Sequence, residues 1–107
     1  MLTACGSKKD SDLRKSVVSW DASIALAGDS YLHREVPAHY LRDAAKAAVE
    51  SLEKEQQSAK DASRETSRIC AESIRAMKQI GTAVEDHDNA SIQAALLILH
   101  RDQRQSR

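Results

Sequence analysis

Glu53-Lys54-Glu55-Gln56-Gln57-Ser58-Ala59-Lys60-Asp61-Ala62-Ser63-Arg64-Glu65-Thr66-Ser67-Arg68 is the stretch on which the fold turns. It has no proline or glycine to stop a helix, and no large apolar side chain to bury one. A helix that runs through it is solvated there and joins its two neighbours into one rod. A break between Ser58 and Ser63 instead gives four shorter helices. Helix-forming residues dominate the stretch, and the continuous reading is the one favoured here: a single helix over residues 37–85, about 70 Å long at 1.5 Å per residue.

On either side the apolar pattern is helical. Before the polar stretch, Leu41, Ala45, Ala48 and Leu52 recur at steps of four and three, flanked by Tyr40, Ala44 and Val49. Glu50 and Lys54 stand one turn apart as a favourable pair. After it come Ile69, Ser73, Ala76, Ile80 and Ala83, with Ile74, Met77 and Val84 alongside. Val36-Pro37 separates this rod from an earlier helix. A residue before proline avoids the α region, and proline is comfortable as a first helical residue. Helix one is therefore expected over residues 12–35. Leu13, Val17, Trp20, Ile24, Ala27 and Tyr31 form its stripe, and Asp10, Ser11 and Asp12 suit its first turn. Gly28, in mid-pattern, costs about 1 kcal/mol against alanine and marks a close helix crossing or a local break. Trp20 is expected in the core. Tyr31 and Tyr40 are expected to stack at the Pro37 turn. Asp86-His87-Asp88-Asn89 reads as a turn and cap before a last helix over residues 89–103, with Ile92, Ala95, Leu96 and Leu99 inward and a frayed tail over 104–107. The expected fold is all-α: an elongated helical hairpin or three-helix arrangement with one long central helix, the compact bundle being the outcome of a mid-helix bend.

Composition agrees with a single helical domain. In 107 residues there are 3 glycines, 1 proline, 3% aromatics and no phenylalanine. Much of the apolar content is alanine, which buries little area and predicts a thin core with close helix approach. Sixteen basic and sixteen acidic side chains give a net charge of +0. Such a balance argues against nucleic-acid binding, which needs a basic face to neutralise phosphates.

Few residues carry the marks of chemistry. His33, His39, His87 and His100 lack the paired helical spacing of a zinc site, and there is no Cys-x-x-Cys. The Asp86–Asn89 segment lacks the glycine and terminal glutamate of a calcium loop. No glycine-rich phosphate loop or Gly-x-Ser-x-Gly elbow is present. Glu53 and Glu55 point to different helix faces and read as solvated charges. The sequence predicts no catalytic residue, no cofactor site and no metal site. Cys70, in a helical pattern, reads as a buried small hydrophobe.

The N-terminus is different. Leu2-Thr3-Ala4-Cys5 resembles the lipobox of bacterial lipoproteins: leucine three before the cysteine, small residues up to the cut, then the cysteine that becomes acylated. Gly6-Ser7-Lys8-Lys9-Asp10-Ser11 resembles the polar tether that follows. The resemblance implies that residues 1–4 are the remnant of a longer signal peptide, that residues 5–11 are a flexible tether, and that Cys5 is the lipidation site. It implies a membrane-lipid partner through Cys5, with Cys70 left unpaired. A Cys5–Cys70 disulfide requires an unlipidated Cys5. Glycine and serine after Cys5, where an inner-membrane lipoprotein tends to have aspartate, imply the outer membrane, facing the periplasm. On this reading the helical domain binds or scaffolds an envelope partner or a second copy of itself. The alternative is a cytosolic interaction protein that self-associates through its alanine-rich stripe.

Overall fold

A computed structural model describes the backbone of residues 2–105 and the side chains of residues 10–104. The described backbone is all helical apart from its turns: α1 (Leu2–Leu32), α2 (Ala38–Ser58), α3 (Arg64–Glu85) and α4 (Asn89–Gln105). The expected tether over residues 5–11 is helical backbone, since α1 begins at Leu2. Bonds between helices set the register. Asp10 meets Ser63, Arg14 meets Thr66, and Asp21 meets Ser73, so α1 and α3 run parallel. Gln56 reaches Ser67 and Lys78 reaches Glu53, so α2 runs against α3. Arg101 on Glu72 and Gln79 on Ser91 do the same for α4. The result is a four-helix bundle in which α1 and α3 touch across the diagonal while α2 and α4 do not meet.

The long central helix is not what forms. The chain breaks over Ala59–Ser63, and the molecule measures 50 × 22 × 18 Å, too short for a rod of about 70 Å. The break has a capping cause. Ser63 is extended at φ −61°, ψ 158°, and its hydroxyl accepts the Thr66 N–H at 3.1 Å. Its own N–H donates to Asp10 Oδ1 at 2.8 Å. The Ala59 N–H closes α2 on the Glu55 carbonyl at 3.0 Å. Nor is the polar stretch solvated throughout, because Ala59 and Thr66 are buried beneath α1.

The other turns also end in capping motifs. After α1, the Glu35 N–H returns to the Ser30 carbonyl at 2.8 Å across Arg34, which is left-handed at φ 61°. Helix one thus ends at Leu32, short of residue 35. Pro37 is the cap of α2, not its first helical residue. After α3, the Asp88 N–H returns to the Ala83 carbonyl at 2.9 Å across His87, at φ 55°. The Asp88 carboxylate then accepts from Ser91 N at 3.1 Å and Oγ at 2.7 Å to start α4. The last helix extends through Gln105, past the expected 103, and residues 106–107 lie outside the described ones.

The core is small-residue packing on an aliphatic spine. Val17, Ile24, Leu41, Leu52, Ile69, Met77, Ile80, Ile92 and Leu99 are essentially inaccessible, with alanines such as Ala45, Ala48, Ala76 and Ala95 between them. Trp20 and Tyr31 are half-buried against this core, whereas Tyr40 is 52% exposed and is not among the side chains packed on it. Alanine lets helix axes approach closely. The tightest approach is at Gly28, where an added Cβ would stand 2.6 Å from Leu96 Cδ2. Leu41, Ala45, Ala48 and Leu52 are all buried in this intramolecular core.

Candidate functional site

Three polar residues lie on the inner faces of three helices. Asp21 falls four residues after Val17 and three before Ile24. Ser73 falls four after Ile69 and three before Ala76. Asp102 falls three after Leu99 and seven after Ala95. Helical spacing therefore turns each toward the core, and each is 0% exposed. They meet in a line: Ser73 Oγ is 3.1 Å from Asp21 Oδ2 and 3.5 Å from Asp102 Oδ2. Asp21 Oδ1 and Asp102 Oδ1 are buried with no hydrogen-bond partner among the described residues. One hydroxyl carries one proton, so Ser73 cannot donate to both carboxylates at once.

The charges around this line are unevenly shared. Arg101 Nη2 holds Glu72 Oε2 at 2.8 Å, and its Nε lies 3.7 Å from Asp102 Oδ1. Arg68 Nη1 holds Glu72 Oε1 at 2.8 Å. Two arginines thus face two acids, Glu72 and Asp102. Asp21 is a third acid, and no cation pairs with it among the described residues. Burial pushes its carboxyl up to about 7; the negative charge of Asp102 adds to this, and the Ser73 hydroxyl opposes it. Asp102 is pushed up to about 6 by burial and by neighbouring Glu72, with Arg101 and Ser73 pulling the other way. Glu72 is also raised by burial, but its arginines and Asp102 outweigh this and hold it below the ordinary glutamate value. From α2, Glu55 turns one buried, unpartnered oxygen inward, so it is not the fully solvated charge its position promised. Cys70, a free and fully buried thiol, is raised to about 11 by burial and by the charges of Asp21 and Glu55.

The outer surface offers grooves open to solvent. One, ≈ 740 Å³, lies between α2 and α3 with Ala45, Val49, Met77 and Gly81 at its base and Arg42, Lys46, Glu50, Lys78 and Glu85 around it. Another, ≈ 380 Å³, lies between α1 and α2 beside Leu13 and Glu55. All four histidines are exposed. His33 Nδ1 sits 2.7 Å from the carbonyl of Asp29, one turn back on its own helix, and not on Glu35. Glu50 and Lys54 form no ion pair; Lys78 reaches Glu53 at 3.3 Å instead. Among the described residues, no three of His, Cys, Asp and Glu converge as a metal cage.

The one residue singled out by sequence for a covalent role, Cys5, lies outside the residues whose side chains are described. The buried acids were missed. Their signal was present as charged residues in phase with apolar stripes, at Asp21 in Val17–Asp21–Ile24 and Asp102 in Leu99–Asp102. Neither family models, nor curated proteins, nor solved structures give a match to this chain.

Proposed function

We propose that this chain is a small bacterial lipoprotein, anchored through acylated Cys5, whose helical bundle serves as a binding or scaffolding module in the cell envelope, on the periplasmic face of the outer membrane. The observation that carries this reading is the Leu2-Thr3-Ala4-Cys5 motif with its small residues at the cut and Gly6-Ser7 behind the cysteine. Two features of the bundle support the binding role. Most of its apolar residues are gathered into its own core, with Leu26 and Leu97 standing out of it at 70% exposure, and its outward face is grooved, charged and open, as a surface that meets other macromolecules would be. No described helix is long and apolar enough to cross a membrane, so in this reading attachment rests on lipid. One acyl chain holds a protein only marginally, whereas two or more anchor it stably; Lys8 and Lys9 add weak attraction to anionic headgroups.

The test is intact-mass analysis after expression in a bacterium from the full upstream reading frame. The expected product begins at Cys5 and carries diacylglycerol and an added acyl chain. An unmodified chain beginning at Met1 would discard the anchor and leave a helical interaction module without it.

A further inference from the structure

We propose that Asp21, Ser73 and Asp102 form a proton-binding site in the bundle core, which ties the packing of α1 and α4 against α3 to pH. Ser73 has one proton to give and two lone pairs to accept with. If Asp21 carries a proton, it donates to Ser73 Oγ, and Ser73 then donates to Asp102 Oδ2. Above about pH 6 Asp102 is an anion beside Arg101, Glu72 is an anion between Arg68 and Arg101, and the charges cancel: two acids with two arginines. Remove that proton and the core holds two inaccessible carboxylates sharing one hydroxyl hydrogen. Asp21 is then an uncompensated charge at 0% exposure.

Every element packed against Asp21 gives the same answer. From α3 it meets Ser73, from α4 it feels the charge of Asp102, and its own charge, with that of Glu55 from α2, bears on the Cys70 thiol. The only cations near this cluster among the described residues, Arg68 and Arg101, are on Glu72 and Asp102. The proton is therefore the counter-ion of Asp21. This inference stands apart from the lipid anchor and holds wherever the chain resides.

The sign follows from linkage. Asp21 loses its proton near 3.8 in the unfolded chain and near 7 in the bundle. Between those values only the folded state keeps it, so folding is strongest at the acid end and weakens as pH rises through about 7. A carboxylate stabilised by ion pairing does the opposite. Asp21 alone should thus lower the folding constant about tenfold per pH unit up to about 7, with a steeper fall below about 6 where Asp102 also holds a proton, and the curve should level off above 7.

Two measurements decide the matter. Urea unfolding of the intact chain from pH 5 to 8.5 should show the falling constant. Asp21→Asn, a neutral isostere able to donate to Ser73, should flatten the profile above about pH 6, beyond the reach of Asp102, and be more stable than the parent at pH 8. Infrared spectroscopy of the unmodified folded protein should show a protonated-carboxylic-acid band that persists above pH 6, where Asp102 has given up its own proton, and disappears as pH is raised through about 7. That spectrum decides the question even if the variant fails to fold. No such band in the folded protein between about pH 6 and 7, or an Asp21→Asn variant with the parent's pH slope in that range, would overturn the proposal.

Discussion

Gly28→Ala and Gly81→Ala are the same chemical change in two helices, and the structure assigns them opposite signs. At Gly28 the new methyl carbon would stand 2.6 Å from Leu96 Cδ2, 3.2 Å from Cδ1 and 3.3 Å from Cγ. Carbon–carbon contacts relax at about 3.5–4.0 Å, so Leu96 must retreat by about 1 Å. It is 4% exposed, and its Cγ crowds the site along with both methyls, so a rotation about the Cβ–Cγ bond alone does not clear the contact and the whole side chain must shift within the core. Overpacking of this kind costs about 1–3 kcal/mol, while removing a mid-helix glycine returns about 1 kcal/mol. The net is a loss of about 1 kcal/mol. At Gly81 nothing lies within 4 Å of the added carbon, so the propensity gain of up to about 1 kcal/mol is not opposed. The two variants should differ by about 2 kcal/mol, on the order of 10 °C in thermal midpoint for a domain of this size. Urea and thermal unfolding followed by helical circular dichroism measure both. Combining Gly28→Ala with Leu96→Ala should cost less than the sum of the two single changes by at least about 0.5 kcal/mol, because the new methyl occupies vacated space. Equal shifts in the two glycine variants, or a Gly28→Ala chain more stable than the parent, would refute the close crossing.

Other outcomes follow from the caps and the core. Arg64→Pro should be nearly neutral, because Arg64 is exposed at the first position of α3 behind an extended Ser63. Arg75→Pro, exposed in mid-helix, should cost about 3 kcal/mol or more in urea unfolding; equal costs would restore the continuous rod. Ser63→Ala should lose about 1 kcal/mol by removing the cap on the Thr66 N–H. His87→Gly should gain on the order of 1 kcal/mol by relieving a left-handed residue at φ 55°, and a loss there would show that its side chain matters more than its backbone. Cys70, buried with its thiol raised to about 11, is about a thousandth thiolate at pH 8. Peptide mapping, which separates it from Cys5, should find it labelled by a disulfide reagent only as fast as the chain opens.

Much of this fold was written in periodicities. The stripes of Leu13–Val17–Ile24, Leu41–Ala45–Ala48–Leu52 and Ile92–Ala95–Leu99 reported inward faces, and those faces are the core. Gly28, in phase with its stripe, raised two readings, and the close crossing is what the bundle uses it for. Asp88 reads as a cap because a short acid before a helical run has few other roles. The break at Ala59–Ser63 is different. It needs Ser63 to leave the α region, and part of what holds it there is Asp10 on another helix, 53 residues away in sequence. Pattern along one strand of sequence does not contain that contact. Serine and aspartate are weak helix formers that prefer caps, so Asp61 and Ser63 marked where a break was cheap, while the tertiary contact decided that it occurred.

Asp21 shows why the candidate site was harder to read than the fold. In a stripe of Leu13, Val17, Ile24 and Ala27, one acid can be taken as a residue at the edge of an apolar face, tilted to solvent. Only packing from both sides decides otherwise: α3 offers Ser73 and α4 offers Asp102 at the same level, and together they close over it. Once closed, the chemistry is constrained. A bundle built on alanine has little apolar burial to offset an uncompensated charge, since each alanine removes little area from water. Replacing the Asp21–Ser73–Asp102 line with aliphatic residues of similar volume should therefore stabilise the fold at neutral pH, as removal of buried polar networks often does. If Asp21→Leu combined with Ser73→Ala and Asp102→Leu unfolds more readily than the parent at pH 8, the line contributes shape or specificity that its charges alone do not explain. If it is more stable and loses the pH slope, the acids are in the core for their proton.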